Sequence, residues 1–224
     1  MPYSKWFGRV FAYLLFVTAT VVPVTVFAAD GLQKIREDLN NMDWEVRLAT
    51  VQKLRNARDE NTVNLLLAVA NTRSERTSVK ITAIELLGEA GDPRAIEVLL
   101  PIFNDATLNW DCPAIKTYAA VALGSFKGDQ RVVDALISGV DDPELLTREA
   151  SIQSLGRIGS AKAVPLLMRA LGDRHVSIRL SAIKALGEIG NTRAIPDLQR
   201  IAESDIDPVV KSQARTALSK LQQK

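Results

Sequence analysis

Arg47, Lys80, Lys116, Arg148, Arg179 and Lys211 form a row of bases at intervals of 33, 36, 32, 31 and 32 residues. Cations in such a register either make a charged ridge that captures an acidic partner or bond acids of their own chain. Acids are in place for the second role: Asp43, Glu144 and Asp207 stand four residues before three of the bases, and Asp105, Asp142 and Asp173 fall in the segments between them. A partner site rarely follows a repeat so evenly, so an internal ladder is expected.

Other reactive chemistry is sparse. His175 is the single histidine and Cys112 the single cysteine. A metal centre made of several histidine and glutamate pairs is excluded, and the carboxylates are scattered with no Asp-rich loop, so no metal and no cofactor is expected. No Ser or Cys nucleophile motif accompanies His175, which is expected to be an exposed turn residue rather than a general base. Cys112 has no second cysteine and no basic neighbour in sequence to activate it. Gly-Glu-Ala-Gly and Gly-Glu-Ile-Gly follow predicted helices rather than strands, and so belong to turns rather than to a phosphate loop. No catalytic residue is assigned.

The elements that carry these residues follow from a repeat. VKITAIELLGEAGDPRAIEVL from Val79 returns 99 residues later as IRLSAIKALGEIGNTRAIPDL from Ile178, with ten of 21 positions identical. Copies start at Val46, Val79, Ile115, Thr147, Ile178 and Val210. Leu54, Leu87, Leu123, Leu155, Leu186 and Leu218 lie eight residues after the starts, and Thr50, Ala83, Ala119, Ser151, Ala182 and Ala214 lie four after. Apolar residues at that spacing predict a first helix in each copy.

Glycines at 91, 128, 159 and 190 fall where the first helix should end, a place commonly closed by a left-handed residue. Asp92, Asp129, Ser160 and Asn191 follow at once, offering acceptors to the free amides of a second helix, and Pro93 suits its first position. The second helices read RAIEVLLPIF, RVVDALISGV, AVPLLMRAL and RAIPDLQRI. A hairpin this short cannot bury its apolar face alone, so neighbours must stack into a curved rod. In the first copy Arg55 and Arg58 stand where glycines recur later. DGLQKIREDLNN, with Leu32, Ile35 and Leu39, is expected to be an unpaired helix at one end, and VKSQARTALSKLQQK the cap at the other.

The runs of Val-Arg, Val-Lys or Ile-Arg followed by A…LG.IGD.RA…L resemble HEAT repeats, and among them the short HEAT-like type named after phycobilisome lyases. The resemblance covers residues 43–222 and is strongest in 79–103 and 144–203. It implies an all-α fold for residues 29–224, an α-solenoid (HEAT-like superhelix) of about five to six helical hairpins. It says little of activity, because the recurring residues are those of packing and turns.

In HEAT-like arrays a base at this register resembles one that bonds acids in the neighbouring inter-repeat turn, in agreement with the ladder. The second helices resemble those lining the concave face. Arg94, Arg131, Lys162, Arg169, Arg193 and Arg200 are therefore candidate contacts, and their sign implies an acidic protein partner. Trp110 is a further candidate. It lies in NDATLNWDCPAIK, where the spacing swells to 36, and this insertion either presents Trp110 to a partner or tucks it over the adjacent hairpin.

Residues 1–28 differ in kind from the rest. MPYSKWFGRV brings Lys5 and Arg9, FAYLLFVTATVVPVTVFAA is an apolar stretch with Thr as its polar content, and Val26-Phe27-Ala28 offers small or modest residues at the exit. That is the pattern of a cleaved signal peptide, and Pro23 suits a peptidase better than a span. The alternative is an N-terminal membrane anchor through residues 10–28, close to the ~20 residues a span requires. No cysteine follows the stretch to be acylated, and no Arg-Arg pair precedes it.

Of 28 basic and 26 acidic residues, two bases fall in that segment, so the remainder is neutral. Neither nucleic acid nor an anionic lipid surface is expected as a partner, which also counts against the HEAT-like DNA glycosylases. A lone cysteine makes no intramolecular disulfide, so an exported fold must rest on its core. The expected function is a non-catalytic scaffold or adaptor in the periplasm, or otherwise outside the cytoplasm, that holds another protein. The runner-up implied by the resemblance is a bilin lyase or isomerase subunit. Those enzymes act on phycobiliproteins in the cytoplasm, which the export segment opposes. The HEAT-like deoxyhypusine hydroxylases need the histidines this chain lacks.

Overall fold

The computed structural model describes residues 29–223, without the side chains of Ala29, Asp30 and Trp110. Residues 1–28, where a cleaved signal peptide or an N-terminal anchor is expected, lie outside the described residues. The described residues form α-helices, short 3-10 turns and loops, with no strand among them. In chain order, α1 (Ala29–Leu39) precedes the hairpins α2 (Trp44–Lys53) with α3 (Glu60–Asn71) and α4 (Thr77–Ala90) with α5 (Ile96–Asn104). A one-turn helix, α6 (Leu108–Asp111), then intervenes. The hairpins α7 (Pro113–Leu123) with α8 (Gln130–Gly139), α9 (Leu145–Ile158) with α10 (Val164–Ala170), and α11 (Val176–Ile189) with α12 (Ile195–Ser204) follow, and α13 (Pro208–Gln222) closes the stack. The six repeat starts fall on α2, α4, α7, α9, α11 and α13, the first helices of the copies.

The corners form as the residue types require. Gly91, Gly128, Gly159 and Gly190 all take positive φ, between 66° and 89°. The carboxylates of Asp92 and Asp129 and the amide oxygen of Asn191 accept from the amides two residues on, while Ser160 makes no such bond. In the first copy Asn56 supplies the left-handed residue with φ 74°, because its short polar side chain tolerates that region better than Arg55 or Arg58 would. Asp59 then caps α3, accepting from the amide and hydroxyl of Thr62 at 3.0 and 2.7 Å.

One apolar seam runs through every layer. Leu54, Leu87, Leu123, Leu155 and Leu186 of the first helices meet Leu66, Leu99, Leu136, Leu167 and Leu198 of the second, all essentially without solvent contact. Each such leucine contributes about 1.5–3 kcal/mol relative to an exposed one. Ile35 and Leu39 of α1 lie against the same seam.

Successive first helices touch along their length, α2 on α4, α4 on α7, α7 on α9, α9 on α11 and α11 on α13, whereas second helices are more loosely spaced. Small residues set this close approach. A Cβ added at Gly88 would lie 2.8 Å from Cα of Ala122, one at Gly156 would lie 2.7 Å from Cα of Ala185, and one at Gly124 would lie 2.6 Å from Oγ of Ser154. Gly88 and Gly156 are therefore contact residues inside α4 and α9, whereas the Gly-Glu-Ala-Gly pattern had placed Gly88 in a turn.

Candidate protein-interaction site

Four of the six bases in the row face acids of their own chain, and Lys211 in α13 has no ion pair among the described residues. Arg47 pairs with Glu75 at 2.8 Å, Lys116 with Asp142 at 2.5 Å, and Arg179 grips Asp205 through Nε and Nη2 at 2.8 and 3.0 Å. Arg148 faces Asp173 directly at 4.0 Å, and His175 Nδ1, 3.1 Å from Arg148 Nη2 and 2.9 Å from the Asp173 carboxylate, accepts from the first or donates to the second according to its tautomer. The turn aspartates also accept the amide two residues on, Asp142 from Glu144 at 3.0 Å, Asp173 from His175 at 2.8 Å and Asp205 from Asp207 at 2.9 Å, while Glu75 accepts that of Arg76 at 2.7 Å. Burial works against ionisation of Asp205, yet the Arg179 hydrogen bond, the Asp207 amide and the Arg179 charge outweigh it and hold the carboxyl below its ordinary value. Glu75 is held low in the same way, burial being overcome by Arg47 and by the Arg76 amide.

Lys80 breaks the row. Asp105 stands at the offset that Asp173 has from Arg148, but it accepts from the amide and hydroxyl of Thr107 at 2.9 and 2.6 Å, and the chain runs on into α6. Lys80 is 8% exposed with no ion pair among the described residues. Burial pushes its ammonium below the ordinary lysine value, Arg73 adds to that, and Glu75 and Asp105 offset part of it.

The second-helix candidates lie on one side of the stack, and most are neutralised by the preceding layer. Arg94 donates to Asn64 at 2.9 Å, Arg131 to Glu97 at 2.9 Å and Lys162 to Asp134 at 2.5 Å. Arg94 and Arg131 also pair with the capping Asp92 and Asp129, Arg169 pairs with Asp141 at 2.6 Å, and Arg200 with Asp197 at 3.2 Å. For Arg193, Pro165 occupies the place of Asn64, Glu97 and Asp134, and among the described residues its side chain has no partner. The bonds from Arg94 to Asn64, Arg131 to Glu97, Lys162 to Asp134 and Arg169 to Asp141 join layers 28 to 34 residues apart, a relation that periodicity alone did not expose.

Trp110 falls in α6, and its side chain lies outside the described residues. Cys112 is a half-buried free thiol between α6 and α7. His175 is half-buried at the head of α11, engaged with Arg148 and Asp173.

The first-helix side differs from the second. Among the described residues the exposed large apolar side chains are Met42, Tyr118, Val121, Leu146, Val176, Ile206 and Val209, all on first helices or the turns that lead into them. Tyr118, Val121 and Leu146, at 36%, 38% and 59% exposure, share a groove of about 390 Å³ between α7 and α9. The helices beneath are knit by polar bonds that leave few free donors: Thr117 and Thr147 hydroxyls meet at 2.9 Å, Ser154 donates to the Ala120 carbonyl at 2.8 Å, and Arg157 to the Val121 carbonyl at 2.9 Å. A second hollow of about 260 Å³ carries Tyr118 and Val121 across to α4, edged by Glu85 and by Glu89 paired with Arg55. Neither tyrosine nor valine belongs to the repeat's core positions, so their clustering becomes visible only once the layers are stacked.

Described as HEAT repeats, a family matches residues 32–110, 106–175 and 133–219. No curated protein sequence matches the chain. Among solved structures, the complex of CpcE and CpcF of phycocyanin lyase from Nostoc sp. PCC7120 is similar at 27% identity and TM-score 0.61, over 72% of this chain and 65% of that one. The chain thus spans less than two thirds of that lyase chain. The archaeal HEAT-like repeats protein from Thermococcus onnurineus NA1 matches at 14% identity and TM-score 0.57, over 88% of each chain. A designed armadillo repeat protein in complex with the peptide (KR)4 matches at 18% identity and TM-score 0.60, over 85% of this chain and 99% of that one. The stacked hairpins, the turn ladder and the match across nearly all of residues 32–219 lead to one conclusion: the chain belongs to the HEAT-repeat family.

Proposed function

We propose that this protein is an exported, non-catalytic scaffold that holds another protein against the first-helix side of its stack. The observation that carries the reading is the grouping of Tyr118, Val121 and Leu146 in one groove on that side. Contiguous exposed apolar surface rimmed by polar residues marks an interaction site. The second-helix bases expected to meet an acidic partner are mostly paired already, and a partner there would have to displace those bonds. Export is supported by the basic, apolar and small-residue order of residues 1–28.

A photoreactive side chain placed at Val121 in intact cells tests the reading, with one at Gln199 of α12 as the control. Capture of a protein from Val121 and not from Gln199 is expected. Capture from Gln199 alone overturns the choice of face.

A second reading, a bilin lyase-like subunit in the cytoplasm, is favoured by the 27% identity to the phycocyanin lyase complex. Covalent attachment of a bilin to a phycobiliprotein, followed by absorbance in the presence of this chain, separates the two.

A further inference from the structure

The geometry points to the occupant of the α7–α9 groove: a polypeptide segment in which a bulky apolar side chain adjoins a lysine or arginine. This rests on the scaffold reading above and adds the chemistry of the bound segment. Tyr118, Val121 and Leu146 form the apolar walls, and about 390 Å³ falls within the range that pockets for small ligands occupy. Thr117 turns its hydroxyl to Thr147 and to the Pro113 carbonyl, so the floor offers an apolar anchor little competition from polar groups.

Charge supplies the second half of the argument. Glu144 and Glu149 line the groove and no lysine or arginine does. Glu144 has no ion pair or side-chain hydrogen bond among the described residues, and it heads α9 without capping it. Glu149 accepts only from neutral donors, Gln153 at 3.0 Å and Ser181 at 3.5 Å. The nearest bases in sequence face other groups, Arg148 the Asp173 carboxylate and His175, and Arg157 the Val121 carbonyl and Ser154. Two carboxylates without a cation, set beside an apolar hollow, complement a segment that brings its own cation next to its anchor.

The test uses the full chain and fluorescent synthetic heptapeptides with a central leucine or phenylalanine flanked by arginine and lysine, by glutamate, or by serine. Fluorescence anisotropy is expected to rank the basic set tightest, with affinity falling as salt rises. The double variant Glu144→Gln, Glu149→Gln should weaken the basic set by about tenfold and leave the serine set unchanged. Leu146→Ser, at a strongly exposed position, should weaken both. Equal binding of acidic and basic peptides, or no loss in the double variant with an unaltered melting curve, overturns the proposal. If the double variant does not fold, a flat salt dependence of the unaltered chain does the same. A dimer in sedimentation that Val121→Asp converts to monomer makes a second copy the occupant and also overturns it. Capture at Val121 of a protein whose contact segment lacks a base leaves the scaffold standing and this inference fallen, whereas no capture there brings down both.

Discussion

Gly88 and Ala122 stand so close that a Cβ on the glycine would lie 2.8 Å from the alanine Cα and 2.9 Å from its Cβ. Both atoms are fixed to helix backbone, so relief requires α4 and α7 to separate. Gly88→Ala and Gly156→Ala are each expected to destabilise by about 1–3 kcal/mol, even though alanine is the better helix former. Gly187 is the contrast: its added Cβ would meet Ala217 Cβ at 3.4 Å, so Gly187→Ala should be neutral or stabilising by about 0.5–1 kcal/mol. Thermal denaturation of the three variants decides; equal melting temperatures for all would remove the close-approach argument.

The Arg179–Asp205 pair, whose side chains are 9% and 5% exposed, predicts an acid-sensitive fold. Asp205 and Glu75 keep their charge to lower pH when folded than when unfolded. Their contribution is complete above the unfolded carboxylate range, near pH 5, and is lost as pH falls through their lowered folded values. Asp205→Asn should cost about 2–3 kcal/mol at pH 7 and reduce the slope of stability below pH 5. Urea titrations from pH 7 to pH 3 check both.

Lys80 and Lys116 occupy the same register and should respond in opposite ways to the same substitution. Lys116→Met strands the buried Asp142 and is expected to cost about 2–3 kcal/mol. Lys80→Met removes a buried ammonium that lacks a carboxylate and should be neutral or stabilising. A loss at Lys80 as large as that at Lys116 would show that Asp105 pairs with it in solution.

Arg131 and Lys162 are expected to matter little for folding. Their pairs with Glu97 and Asp134 are more than half exposed on both sides, and such pairs contribute about 0–1 kcal/mol. Arg131→Ala should leave the urea midpoint nearly unchanged, and a marked drop would point to a network acting across layers.

Processing of the terminus is read by intact mass. The protein recovered from an osmotic-shock fraction is expected to start near Ala29, whereas an intact Met1 in a membrane pellet favours the anchor and in a cytosolic fraction favours the lyase-like reading.

The architecture was legible because its cause is local and repeated. Leucines at a fixed offset, small residues four after each start and glycines at the corners all state short-range requirements, and five hairpins with an end helix at either side follow from them. The ladder was legible in kind and only partly in membership. Asp142 and Asp173 act as expected, but Glu75 and Asp205 take partners while Asp43 and Asp207 cap helices, because an acid just ahead of a helix is drawn to the free amides. Gly88 and Gly156 were not recognised as contact residues, since the space a missing Cβ yields belongs to a helix some 30 residues away. The groove was invisible for a related reason: Tyr118 and Leu146 sit on different helices at positions outside the apolar period, and only stacking sets them side by side.

The seam of glycine and alanine between first helices has a mechanical consequence. Like the spine of a bound book, it fixes the distance between leaves on one edge, while the loosely spaced second helices form the fore-edge. Fanning must therefore open that outer edge and leave the bound one nearly still, so a guest seated along the spine keeps its footing while the protein flexes.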